Sequence, residues 1–125
     1  MREINIGYPN VSQPRILPHN FRTIHNKIKA WELGEEYYDG ARENGYGGYR
    51  YDGRWAKIIP FLIKEYGLSN NSSVLDLGCK KGFFMNDLKE MLPGIKIRGV
   101  ENHLYPIKSS MDSVREEIIY SPYEN

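Results

Sequence analysis

The sequence predicts an α/β domain built on a short parallel sheet and preceded by a helical extension. Three observations predict it: an apolar run that ends in a glycine-bounded loop (residues 74–82), an amphipathic stretch directly after it (83–92), and a β-like run, KIRGVE, beyond a Pro-Gly turn. Strands alternating with helices imply parallel pairing through crossover connections. A chain of 125 residues is the size of one small domain.

In chain order, residues 1–20 carry Pro9, Pro14 and Pro18 with little apolar periodicity and read as an extended arm. Phe21, Ile24, Ile28 and Trp31 recur at three and four, predicting a helix to about Tyr38 with Asn20 as its N-cap and Trp31 as a core anchor. Residues 39–53 hold five glycines, too many for a helix or strand interior, and form a tyrosine-rich loop. Asp52 can cap a helix over 54–66, where Pro60 marks a kink or restart, Gly67 supplies the end and Trp55 anchors the core. Beyond the turn residues 69–73, VLDLG reads as a short buried strand, 83–92 as a helix and 96–101 as a second strand. Residues 104–117 predict another helix with Ile107, Met111 and Val114 on one face, and IIYS a third strand.

Charge and composition exclude several classes. Lys+Arg 17 against Asp+Glu 16 leaves a formal net charge of +1, with the basic residues scattered along the chain, so no nucleic-acid partner is implied. A single cysteine forms no internal disulfide and the N-terminus lacks a secretory apolar segment, giving a cytoplasmic location as the default expectation. No apolar run approaches the roughly 18 residues of a membrane span. His19, His25 and His103 lack metal-ligand spacing, so no metal is expected.

The loop Gly78-Cys79-Lys80-Lys81-Gly82 decides the ligand. A P-loop needs four residues between its glycines and then Lys-Ser/Thr; here Gly82 comes one residue early and Phe83 follows. The dinucleotide fingerprint needs glycines at positions that Lys80 and Phe83 occupy, which leaves an NAD-dependent oxidoreductase a distant reading. Three further features fit together: Asp76 two residues before Gly78, Gly82 four residues after it, and Glu101 closing the next strand.

This arrangement resembles motif I of the class I S-adenosylmethionine-dependent methyltransferases, [DE]-x-G-x-G-x-G, with Glu101 matching the ribose-binding acid after the second strand. The resemblance extends over roughly residues 33–125, through YYDGARENGYGGYRYDGRW and GVENHLYPIKSSMDSVREEIIYSPYEN. It implies a Rossmann-like sheet whose first half occupies 72–125, behind an arm (1–20) and a helical, Tyr/Gly-loop extension (21–71). It implies S-adenosylmethionine as cofactor, held by Asp76, Gly78, Cys79, Gly82 and Glu101, and methyl transfer to a small-molecule acceptor. The family's middle glycine is Lys80 here.

Other residues keep two readings each. Tyr46, Tyr49 and Tyr51 suit a substrate lid or the packing of an extension on the sheet. Arg50 and Arg54 suit the methionine carboxylate of the cofactor or an ordinary surface. His103 suits an adenine pocket or an exposed loop, and Cys79 reads as a small filler. The family sheet has seven strands, and this chain carries the first three, so no catalytic base is assigned. Its first strand is expected at an open edge, available to a second chain or a second copy through residues 74–78. The alternative function is a non-catalytic binding or assembly module with a methyltransferase-like fold.

Overall fold

The computed structural model describes residues 13, 16, 18 and 21–122. The extended arm, His19 and the Asn20 cap therefore fall outside the described residues, apart from those three positions. Thr23 opens the first helix instead. Its hydroxyl accepts the Asn26 N–H at 3.3 Å, and Asn26 Oδ1 accepts the Thr23 N–H at 2.9 Å, which closes a capping box.

Helix α1 runs Ile24–Trp31 and α2 runs Glu35–Tyr38. The single predicted helix divides because the chain turns at Leu33, whose φ is +46°. Helix α1 docks through its polar side, Asn26 Nδ2 donating to Asn44 Oδ1 at 2.8 Å. Its apolar stripe faces solvent, with Trp31 87% exposed. Trp31 is thus no core anchor: a helical period shows that one face differs from the other, and here the polar face found the partner.

The stretch after Asp52 begins as a 3-10 turn, Arg54–Lys57, with Asp52 Oδ1 accepting the Arg54 N–H at 3.1 Å. Helix α3, Ile59–Tyr66, then restarts with Pro60 in its first turn, where a missing N–H costs nothing, and closes on Gly67 at φ +61°. Trp55 is half-buried and meets the Phe84 ring edge-on at 5.3 Å.

Strands β1 (Ser73–Leu77), β2 (Lys96–Glu101) and β3 (Ile118–Tyr120) form a three-stranded sheet in the order β1-β2-β3. Both pairings are parallel, with Asp76 beside Gly99 and Glu101 beside Tyr120. Helix α4, Phe83–Met91, links β1 to β2. Helix α5 is short, Leu104–Lys108, because Ser109 and Ser110 turn their hydroxyls onto the carbonyls of Tyr105 and Ile107. The rest of the predicted helix is turn and a 3-10 segment, Arg115–Glu117, yet Val114 still reaches the core. The chain is of the α/β class.

Core residues Ile59, Met85, Leu88 and Val114 gather on the sheet face that carries Val74, Ile97 and Ile118. The alternate residues of the strands line the other face, where Leu75 is 58% and Leu77 71% exposed. Strand β1 is therefore not a buried strand: among the described residues it pairs with β2 alone, and it stands at the edge of that sheet, as the sequence implied. Among the described residues no helix is long and apolar enough to cross a membrane.

Candidate functional site

The ends of β1 and β2 and the loop after β1 form the site. Gly78, Lys80 and Gly82 all take left-handed backbone, with φ of +74°, +53° and +76°. An added Cβ at Gly82 would come within 2.7 Å of Val114 Cγ2, so this glycine serves the packing of α4. At Gly78 a Cβ would meet nothing within 4 Å, so this glycine faces open space between the clefts it lines. Lys80 holds a conformation that glycine adopts freely and that costs other residues about 1 kcal/mol.

Three contacts hold Lys80 there. Its N–H donates to Glu101 Oε2 at 2.9 Å, its Nζ donates to the Tyr46 hydroxyl at 2.8 Å, and the ammonium lies 5.3 and 5.4 Å from the Tyr46 and Tyr49 ring centres. Lys80→Gly is expected to relieve the backbone strain, about 1 kcal/mol, and to lose a hydrogen bond of similar worth. Stability should change little in urea unfolding; if the loop holds a cofactor, calorimetry with S-adenosylhomocysteine should show tighter binding because the side chain between the clefts is gone. Weaker binding would contradict this.

The loop's own donors point inward. Gly78 and Cys79 N–H groups bond Val100 O at 2.8 and 3.2 Å, Lys80 N–H bonds Glu101, and Gly82 N–H bonds Cys79 O at 2.9 Å. A phosphate cradle needs those groups free. Their use inside the turn argues against nucleotide phosphates at this loop, in line with the failed P-loop and dinucleotide spacings.

Glu101 is 3% exposed. Its Oε1 accepts the N–H groups of Asn102 and His103 at 2.9 and 3.1 Å and lies 3.3 Å from His103 Nδ1, while Oε2 accepts Lys80. The carboxylate thus fixes the loop and the strand end together. Two clefts open on either side of Lys80. One, about 180 Å³, is lined by Tyr38, Gly78, Lys80, Glu101 and His103. The other, about 360 Å³, is lined by Tyr49, Trp55, Asp76, Gly78, Lys80 and Phe83. Burial, then the Glu101 charge, pushes the Asp76 carboxyl up to about 6.

Cys79 is buried, and burial pushes its thiol up to about 12. Its Sγ would sit 2.6 Å from a Cβ at Gly99, so it fills space under the sheet. A thiol reagent at pH 8 is expected to label it only after denaturation; rapid labelling of the folded chain would contradict this.

The tyrosine-rich loop packs down on the glycine loop. Lys81, 6% exposed, donates to Asp39 Oδ2 at 2.6 Å and to Tyr49 O at 3.0 Å. Asp39 also accepts the Tyr105 hydroxyl at 2.6 Å and the Tyr49 N–H at 3.0 Å. Burial raises the Asp39 carboxyl, but these bonds outweigh it and hold the group below its ordinary range. The Tyr49 ring stacks on Phe83 at 4.9 Å. Tyr51 donates to Asp87 Oδ1 at 2.6 Å, and that bond, with burial, pushes its hydroxyl up to about 12. Tyr38 is buried against this cluster, and burial, then Glu101, raises its hydroxyl well above the usual range.

The structure brings Asp76, Gly78, Cys79, Lys80 and Glu101 together around the paired clefts, Cys79 lining the larger one while its Sγ packs under the sheet, with Gly82 in the packing of the loop against Val114. Arg50 and Arg54 line a third cleft instead, which shares the Tyr49 wall. The sequence reading missed the clamp of Asp39, Lys81 and Tyr105, three residues whose spacing of 42 and 24 positions carries no local signal. Among the described residues no group of His, Cys, Asp and Glu is placed to hold a metal. No protein-family model matches the chain, and no curated protein matches it.

Proposed function

We propose that the paired clefts bind S-adenosylmethionine in a Rossmann-like half of a class I methyltransferase site, and that the methyl acceptor is a small molecule. The observation that carries this reading is the left-handed backbone at Gly78, Lys80 and Gly82 beside the carboxylate of Glu101. Glycine adopts that backbone freely, and Lys80 holds it here at the position where the resembled motif has its middle glycine. Both acids lie toward the C-terminal ends of parallel strands, where ligands of open α/β sheets bind.

The donor set fits the cofactor. Glu101 Oε2 accepts one bond from the described residues and keeps a lone pair for a ribose hydroxyl. Asp76, desolvated and bonded by none of the described side chains, suits an ammonium group in the larger cleft. When bound, S-adenosylmethionine supplies an electrophilic methyl group. The chain's own residues bind and orient: Glu101 fixes the loop, Asp76 offers the counter-charge, and the open space at Gly78 joins the two clefts. Transfer then rests on proximity and orientation of the acceptor.

The exposure of Leu75 and Leu77 on the outer sheet face favours a second reading, a binding module that holds the cofactor without transferring its methyl group. Thermal unfolding with S-adenosylhomocysteine tests both. The melting temperature is expected to rise with ligand concentration by linkage and to stay unchanged with NAD. An upward shift with NAD alone would overturn the assignment. Binding of S-adenosylmethionine without turnover on any small-molecule acceptor would favour the module.

A further inference from the structure

We infer that the third cleft is an anion site for a phosphorylated small molecule and, resting on the reading above, that this molecule is the methyl acceptor. The cleft, about 490 Å³, is lined by Arg22, Arg42, Arg50 and Arg54, with Tyr37, Tyr46 and Tyr49 among its walls. No acidic side chain is among the described residues that line it. In a chain whose formal net charge is +1, four guanidinium groups around one cleft are a local concentration, not a share of a general excess.

The arginines come from positions spread over 33 residues, and different local structures deliver them. Arg22 precedes α1, Arg42 bonds the Gly45 carbonyl within the tyrosine-rich loop, Arg50 follows Gly48, and Arg54 opens the 3-10 turn. Asp52 grips Arg54 through both Nε, at 3.0 Å, and Nη2, at 2.7 Å, so Arg54 is already paired and the charge offered to an anion rests on Arg22, Arg42 and Arg50. Lys80 adds a fifth positive charge behind the Tyr46 ring, at 5.3 Å from its centre. Gathering like charges costs free energy that a bound anion offsets, and the planar fork of arginine matches two phosphate oxygens at once.

The shape selects a small molecule. The cleft has the volume of a ligand pocket and aromatic walls suited to a ring or sugar face, whereas a duplex needs a continuous basic stripe. Tyr49 forms a wall of both this cleft and the one that holds Asp76, so an occupant anchored by its phosphate lies beside the cofactor cleft.

The test is calorimetric titration of the chain with pyrophosphate, alone and then with S-adenosylhomocysteine present. Arg22→Gln/Arg50→Gln together is expected to weaken pyrophosphate at least tenfold, and each single change several-fold, which keeps the test open should the double variant misfold. Lys96→Gln/Arg98→Gln, on the exposed sheet face, should leave it unchanged. Simultaneous binding of both ligands is expected. No saturable binding, or equal loss in the Lys96/Arg98 variant, would overturn the site. A duplex oligonucleotide binding more tightly through Arg22 and Arg50 would overturn the small-molecule assignment. Mutual displacement of pyrophosphate and S-adenosylhomocysteine would overturn the acceptor assignment, since the arginines would then hold the cofactor's carboxylate. Pyrophosphate binding by a chain that ignores S-adenosylhomocysteine would leave the anion site standing and remove the methyltransferase reading together with the acceptor assignment that rests on it.

Discussion

Glu101→Ala is expected to destabilise the chain by about 3–5 kcal/mol and to abolish saturable cofactor binding. The carboxylate is buried and accepts the N–H groups of Lys80, Asn102 and His103. Its removal leaves three main-chain donors short of a partner, each worth about 1–3 kcal/mol when buried, with water recovering part of the loss. It also releases Lys80 from the left-handed turn, so the loop should loosen with the strand end. Glu101→Gln, which keeps an acceptor oxygen and the shape, should cost about 1–2 kcal/mol and leave the fold intact for binding studies. Urea unfolding at neutral pH measures both. A cost under about 1 kcal/mol for the alanine variant would contradict the role of Glu101 as the fixing group.

Asp76→Asn is expected to stabilise the ligand-free chain at neutral pH by about 1–3 kcal/mol and to weaken cofactor binding at least tenfold. Burial, then Glu101, pushes the Asp76 carboxyl from 3.8 up to about 6, against a smaller opposing pull from Lys80. A carboxyl raised on folding holds its proton more tightly in the folded chain. Its ionisation is therefore a penalty fully present above pH 6 and removed as pH falls from about 6 to about 4. The stability difference between variant and wild type should be largest at pH 7 and shrink toward pH 4. Binding should run the other way: an ammonium favours the ionised carboxylate, so wild-type affinity should fall as pH drops through 6, and the variant should lose this dependence. Equal pH profiles for the two proteins would sink the assignment.

Much of the fold was legible because it is local. The Gly-bounded strand end, the amphipathic 83–92 stretch and KIRGVE each carry their own period, and the observed β2 matches that last run residue for residue. Pro60 and Gly67 punctuate α3 where their backbone chemistry requires. The misses have physical causes. Trp31 sits on a stripe with sound helical spacing, but spacing does not say which face will find a partner, and Asn44 took the polar one. Predicted helix 104–117 failed because Ser109 and Ser110 compete for the carbonyls that would have continued it. The arginines read as scattered because they are scattered in sequence, and only the return of the tyrosine-rich loop gathers them. Asp76, Gly78 and Glu101, singled out by their spacing and the motif it resembles, do lie together around the clefts. The clamp of Asp39, Lys81 and Tyr105 could not be found that way, since it joins three segments far apart in the chain.

Whether Glu101 and the left-handed loop hold S-adenosylmethionine is decided by a single titration. S-adenosylhomocysteine is added to the wild-type chain and to Glu101→Gln in a calorimeter at pH 7.5, where Asp76 is ionised. Saturable one-site binding by the wild type is expected, weakened in the variant by about 1–3 kcal/mol, the scale of a lost hydrogen bond to a charged group. A folded wild-type chain that takes up no ligand, or a variant that binds as tightly as the wild type, would contradict that role for Glu101 and the loop.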